Sequence, residues 1–338
     1  MGILEDYQQI VEKAAIGEVA ATHQLAVAGN DRASFLQGLL TNDVQALKPG
    51  EGCYAAWLTP QGRMLTDLHV LESDGMMLLD VPAAQADATL ARLEQFLFSE
   101  DVRLGSLAGA LTTVWVHGPG AASALEQSLD GVAGIGAWAQ YHHEHVGFAG
   151  ESLVLARIDQ LAVPGFCAYL SAANRGALLA ALEAAGARQV GPEAIAAARI
   201  EAGYPIFGAD MTADTIPLEA GIESRGISTT KGCYVGQEVI IRVLHRGHGR
   251  VARRLVALKL DAEGAETRAK IVDGDREVGF VTSVATSPVS GPIALGYVHR
   301  DLAVADARVS VDTPAGRLPA TVMGQPIRSS DQGPGPKD

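Results

Sequence analysis

Cysteine is scarce: Cys53, Cys167 and Cys233 are the only three in 338 residues. Thiols so few and so scattered exclude a disulfide framework and a Cys-rich metal cage, and they fit a reducing compartment. No apolar run reaches the ~18 residues that a membrane-spanning helix needs. Basic residues are in deficit, 26 Lys+Arg against 39 Asp+Glu, for a net charge of −13. Such a surface repels a phosphate backbone, so general nucleic-acid binding is excluded unless basic residues gather locally. The segment Met1–Ala20 carries Glu5, Asp6, Glu12 and Glu18 where a secretory signal has a basic start and an apolar core. The expectation is a soluble, cytoplasmic protein with neither a nucleic-acid nor a membrane partner.

Hydrophobic residues make up 48% of the chain and charged residues 19%, enough apolar material for sizeable cores. The length suits two or three domains. Ile3, Tyr7, Ile10 and Val11 stand at helical spacing within residues 3–16, and Phe35, Leu36, Leu39 and Leu40 form the stripe of a second helix capped by Asn30 or Asp31. Strands follow at 66–72 and 76–81 across Ser73-Asp74-Gly75, then a helix over 84–98. From Leu111 the pattern reads as β-α-β-β-α-β, the split unit of ferredoxin-like domains, and Pro192 opens another helix that Gly203 stops. Beyond Val251 there are only short β-type runs, at 254–260, 277–283, 292–298, 308–311 and 320–323, which predict a small β-barrel. The fold class is therefore α+β: two α+β domains and a C-terminal barrel. Its expected domains are 1–108 with 192–248, 109–191, and 249–328, followed by a polar, disordered tail at 329–338.

The densest local signal is Lys231-Gly232-Cys233-Tyr234-Val235-Gly236-Gln237-Glu238 before the apolar Val239, Ile240 and Val243. It reads as a tight glycine-containing loop entering a helix. A thiol beside Lys231 and near a helix N-terminus tends towards thiolate, which makes Cys233 a candidate nucleophile, redox sensor or transient metal ligand. The alternative is a structural turn with a small apolar Cys beneath it. His142-His143-Glu144-His145 has no HExxH spacing and reads as a solvated loop, so no metal site is assigned. Arg242, Arg246, Arg250, Arg253 and Arg254, with His245 and His248 interleaved, make a local basic patch. That patch either attracts an acidic ligand or simply caps a helix and solvates a linker.

The Lys231–Glu238 segment resembles the signature of the YgfZ branch of the aminomethyltransferase-like superfamily, which also holds the glycine-cleavage T-protein. Further blocks are similar in order: Phe35-Leu36-Gln37-Gly38, Leu40-Thr41-Asn42-Asp43-Val44, Tyr54, Leu58–Arg63, Arg199–Gly203, Pro217-Leu218-Glu219 and Ala294–Val298. The resemblance implies a three-domain ring of the T-protein type around a tetrahydrofolate. In the YgfZ branch the folate is bound and not consumed, and the partners are iron–sulfur clients or cluster carriers. In the T-protein branch an aminomethyl carbon is transferred to tetrahydrofolate.

By the same resemblance Glu201 accepts the pterin N–H edge, with Arg199 orienting it or facing the folate carboxylates; alternatively both make a surface salt bridge. Asp67 falls where the T-protein has an aspartate near the reacting nitrogen, and a carboxylate there handles a proton. Asn42 and Asp43 either face the pocket or cap their turn, and Tyr234 and Gln237 join the folate contacts. One departure stands out. The T-protein's Tyr and Glu in a middle-domain Gly-Tyr-Thr-Gly-Glu type segment are absent from the comparable Ala156–Gly165. That absence and the Cys233 signature point to a tetrahydrofolate-binding accessory protein for iron–sulfur enzymes, with a folate-dependent aminomethyl- or methyltransferase as the alternative.

Overall fold

The computed structural model describes residues 2–246 and 250–323. His248 of the basic patch and the 329–338 tail lie outside the described residues. Three sheets organise the chain. The first has the order 52–58, 64–73, 76–82, 22–28, 103–106, antiparallel throughout. Alternation along its strands separates two faces. Leu25, Val27, Ala55, Trp57, Leu68, Val70, Leu79 and Val81 form the outer face, under Phe35 and Leu36 of helix Arg32–Gln37 and Leu93 of helix Ala86–Gln95.

The middle sheet runs 188–189, 15–16, 111–117, 165–171, 151–157, 143–148. Val114, Val116, Phe166, Ala168 and Leu170 point outward beneath helices Ala121–Ser128 and Arg175–Ala184. Their neighbours Trp115, Cys167 and Tyr169 point inward and pack on Leu71 and Leu78 of the first sheet. The two sheets are thus stacked on their inner faces with helices on the outer ones.

Two features of this sheet differ from the expected ferredoxin-like unit. His143–Phe148 is a strand, where a solvated loop was expected, because His143 is fully buried beside the carbonyls of Glu72 (3.0 Å) and Tyr141 (3.3 Å). The ring nitrogen that carries the hydrogen donates to one of these carbonyls, a partner that suits a core position. The N-terminal helix ends at Glu12, short of 16, and Ala15–Ile16 pairs with both Arg188–Gln189 and Leu111–His117. The middle sheet therefore includes residues outside 109–191.

The barrel closes with six strands in the order 253–260, 291–299, 276–287, 270–273, 308–313, 316–322. The strand missing from the sequence reading is Lys270–Asp273, four residues with charged ends. Helix Pro192–Glu201 joins the barrel to the rest. Its Ile200 packs on Leu255, Ile293, Leu295 and Tyr297, while Ala194, Ile195, Ala197 and Ala198 face Tyr7 and Ile10. Beneath the joint lies Asp210, which accepts from Arg199 Nη1 (2.6 Å), Thr282 Oγ1 (2.6 Å), Ser283 Oγ (2.7 Å) and the Ile206 N–H (3.1 Å). Thr282 and Ser283 are consecutive, yet both reach it, because the pairing slips between Val281 and Ser283. A bulge of this kind turns two successive side chains to one side.

Candidate functional site

A small cleft opens at the edge of the stacked sheets, lined by inner-face residues Tyr54, Asp67, His69 and Asp80, by Gln160, and by Tyr204–Phe207. Its polar wall follows from register. Tyr54 pairs with His69, His69 with Asp80, and Asp80 with Gln24, so one cross-strand row of polar side chains crosses four strands. Asp67 sits two residues before His69, on the same face. An inner sheet face normally carries apolar residues, and a buried polar row needs partners to persist.

Most of those partners are present. Asp67 Oδ2 accepts the Tyr54 hydroxyl at 2.8 Å. Burial raises the Asp67 carboxyl above its ordinary range, opposed by the Tyr54 hydrogen bond and by the positive potential of His69 and Arg225. Burial and the Asp67 charge push Tyr54 far up, so it stays a neutral donor. Asp80 accepts Gln24 Nε2 at 2.9 Å and the Tyr169 hydroxyl, across the sheet interface, at 3.2 Å. The Arg225 guanidinium stacks between the rings of Tyr54 (4.6 Å) and Tyr204 (4.3 Å).

Four buried polar atoms of these residues have no hydrogen-bond partner among the described residues: His69 Nε2, Gln160 Oε1, and Nε and Nη2 of Arg225. Each unmade bond costs about 1–3 kcal/mol, so such a concentration marks a place built for a polar ligand. The donor set is mixed, with an amide acceptor, a guanidinium edge and an imidazole nitrogen. It suits a heterocycle that has both N–H and carbonyl groups on its rim.

Of the candidate site residues read from the sequence, Asp67 alone lines the cleft, beside Tyr54 of the resembling blocks. Arg199 and Glu201 do not line the cleft. Arg199 is buried against Asp210, Ser283 Oγ (2.8 Å) and the Tyr204 carbonyl (2.8 Å). Glu201 is exposed and accepts the hydroxyls of Tyr7, Ser287 (2.6 Å) and Ser290 (2.7 Å). Asn42 and Asp43 hold their turn. Asn42 donates to the carbonyls of Tyr54 (2.8 Å) and Arg225 (3.1 Å), and Asp43 accepts from Gln37 Nε2 (2.9 Å).

The Lys231–Glu238 segment is likewise anchored away from the cleft. Lys231 Nζ donates to the carbonyls of Gln37 (2.8 Å), Leu40 (2.6 Å) and Asn42 (2.7 Å), which occupies all three of its N–H groups and leaves none for Cys233. Burial lowers Lys231 to about 8, partly offset by the charge of Asp43. Cys233 itself is exposed, Tyr234 is buried with Leu58, Met64 and Ile240, and Gln237 begins the short helix Gln237–Ile241. Gly236 is required here. Its φ is +85° and a Cβ would stand 2.5 Å from the Thr59 carbonyl.

The sequence reading missed His69, Asp80, Tyr204 and Arg225. The detectable signal was a polar residue at alternate positions of two otherwise apolar strands, Asp67 and His69 on one and Asp80 on the next.

Comparison with known proteins places this geometry. The GCVT N-terminal domain matches residues 1–227, and the glycine cleavage T-protein C-terminal barrel domain matches residues 253–327. The aminomethyltransferases of Synechococcus sp. (strain RCC307) and Geobacillus kaustophilus (strain HTA426) are each 29% identical over 333 residues, covering 96% of this chain and 90% of theirs. The crystal structure of the glycine cleavage system aminomethyltransferase T from Bartonella henselae superposes with a TM-score of 0.84 at 24% identity, covering 96% of this chain and 89% of that one. These names overturn the expectation of an accessory protein for iron–sulfur enzymes and favour the transferase alternative.

Proposed function

We propose that this chain, which belongs to the GCVT N-terminal domain family, is a folate-dependent aminomethyltransferase that moves an aminomethyl carbon from an amine donor to tetrahydrofolate. The observation that carries the reading is Asp67, a buried carboxylate on the cleft wall, held by Tyr54 and raised above its ordinary range by burial. A carboxylate made more basic by desolvation is suited to take a proton near neutral pH. Tetrahydrofolate supplies the accepting nitrogen, and Asp67 removes the proton that nitrogen loses.

Gln160 belongs to the stretch that lacks the T-protein's Tyr and Glu, and its unpartnered Oε1 offers an acceptor from that side. The Lys231–Glu238 segment, which resembles the YgfZ branch, serves in this reading as the brace that ties the turn after helix Arg32–Gln37 to the loop at Thr59.

The test is ammonia release from an aminomethyl-loaded thiol carrier in the presence of tetrahydrofolate. Turnover that Asp67→Asn reduces by about 10²–10⁴-fold, with folinic acid binding retained, is the expected result. Wild-type protein that binds folinic acid and releases no ammonia refutes the transferase reading; an Asp67→Asn variant with the wild-type rate removes Asp67 from it.

A further inference from the structure

His69 occupies the centre of the polar row. Its ring lies between those of Tyr54 (5.7 Å between centroids) and Tyr141 (5.9 Å). Nδ1 faces Asp80 Oδ2 at 3.5 Å, and Asp80 is itself fixed by Gln24 and Tyr169. Nε2 is the opposite edge of the ring. It is buried and without a partner among the described residues, in a residue that lines the cleft and is only 7% exposed. An imidazole held through one nitrogen by a buried carboxylate, with its other nitrogen unpartnered in a residue that lines a cleft, is the arrangement of a proton-transfer group. The carboxylate fixes the tautomer, and distances in such pairs shorten when ligand is bound.

We propose that His69, oriented by Asp80, is the second proton-transfer group of the cleft, and that it protonates the departing amine. The inference rests on the transferase reading and deepens it, giving the reaction an acid to match the Asp67 base. In the step, the donor's carbon–nitrogen bond breaks and its electron pair stays on the nitrogen. The Nε2 proton of the imidazolium completes ammonia. The carbon, still held by the carrier sulfur, bonds to the accepting folate nitrogen, whose own proton goes to the Asp67 carboxylate; the carbon–sulfur bond then breaks with its electron pair on sulfur, the carbon closes onto a second folate nitrogen, and the proton that nitrogen loses completes the carrier thiol. No further reactant is needed. His69 is the catalytic residue, and Asp80 is a positioning residue.

The charged and titratable groups around His69 are Asp80 and Tyr54 on the adjoining strands, Asp67 on its own strand, Tyr141 before strand 143–148, Tyr169 on the middle sheet, and Arg225 beyond Tyr54. Because several of them titrate, a pH profile of the wild type alone does not identify His69, and the variants are needed.

The experiment measures ammonia release against pH for the wild type, His69→Gln, His69→Ala and Asp80→Asn, with folinic acid binding checked for each. His69→Gln is expected to lower kcat by 10²-fold or more with little change in KM for tetrahydrofolate, and to lose one ionisation limb of the profile. Asp80→Asn is expected to lower kcat by at least tenfold and to move that limb. Added imidazole restores part of the His69→Ala rate. A wild type that turns over, beside a His69→Gln variant of equal rate and unchanged profile, overturns this inference and leaves the transferase reading standing. A loss in the His69 variants that imidazole does not touch, with every limb retained, also overturns it, since that is what a purely structural role produces. A wild type without turnover removes the reading and the inference together.

Discussion

His117 gives the sharpest stability prediction. It ends strand Leu111–His117 with no solvent exposure, its ring stacked on Trp115 at 5.9 Å and 8°. Nε2 lies 3.1 Å from the Gly17 carbonyl, so it carries the hydrogen. Nδ1 is buried without a partner among the described residues and faces Gly165, where a Cβ would come within 3.0 Å of it. A proton added at Nδ1 has nothing to receive it, and burial lowers His117 from 6.5 to about 4 against the small lift of the Gly17 hydrogen bond. Between those values the unfolded chain binds the proton and the folded one does not, so stability falls as pH drops from about 6.5 to about 4 and is complete above that window. At about 1.4 kcal/mol per pH unit, the loss is about 3 kcal/mol. Urea unfolding of wild type and His117→Gln across that range isolates the effect, because every other group titrates in both proteins. The wild type should lose about 3 kcal/mol more than the variant between pH 7 and pH 4, without a change in m. Equal losses in the two proteins would refute the assignment of a neutral, unprotonatable His117.

Two further outcomes follow from buried groups. Asp210→Ala leaves the Arg199 guanidinium buried without its carboxylate at the joint between helix Pro192–Glu201 and the barrel, and urea unfolding should register a loss of about 3–5 kcal/mol. A loss under 1 kcal/mol would show that water replaces the carboxylate there. Burial raises Cys53 to about 12 and Cys167 well above the ordinary thiol range, whereas Cys233 is exposed. Ellman's reagent at pH 8 should therefore consume one thiol per folded chain quickly and the other two only after unfolding; rapid reaction in a Cys233→Ser variant would contradict this.

Local pattern was enough wherever burial alone decided a segment's conformation. The run Gly165–Ser171 reads as a strand and is one, and Pro192 opens its helix where its fixed φ suits the first turn. Strands Thr22–Ala28 and Gly52–Leu58 escaped notice, the first for its alternating His23 and Gln24, the second for an almost uniformly buried, alanine-containing run without polar alternation. Residues 143–148 were misread because a histidine looks solvated until the carbonyls that satisfy it are known. The site shows the same divide. Asp67 was legible as a carboxylate on a strand, but His69 and Asp80 become a pair only through cross-strand register, which no single strand encodes. Glu201 misled in the opposite direction. A carboxylate ending an apolar helix suggested a buried ligand contact, yet it faces outward to hydroxyls from the first helix and the barrel.

The strand Ala15–Ile16 has a consequence for how the chain is made. It is made before both of its neighbours in the sheet, Val116–His117 and Arg188–Gln189. Until residue 117 is out it has no strand to pair with, and until residue 189 is out its other edge stays open, an invitation to pairing with other chains. Vectorial synthesis therefore cannot finish this layer from one continuous stretch; it closes only when the residues that follow helix Arg175–Ala184 return to a strand made long before them.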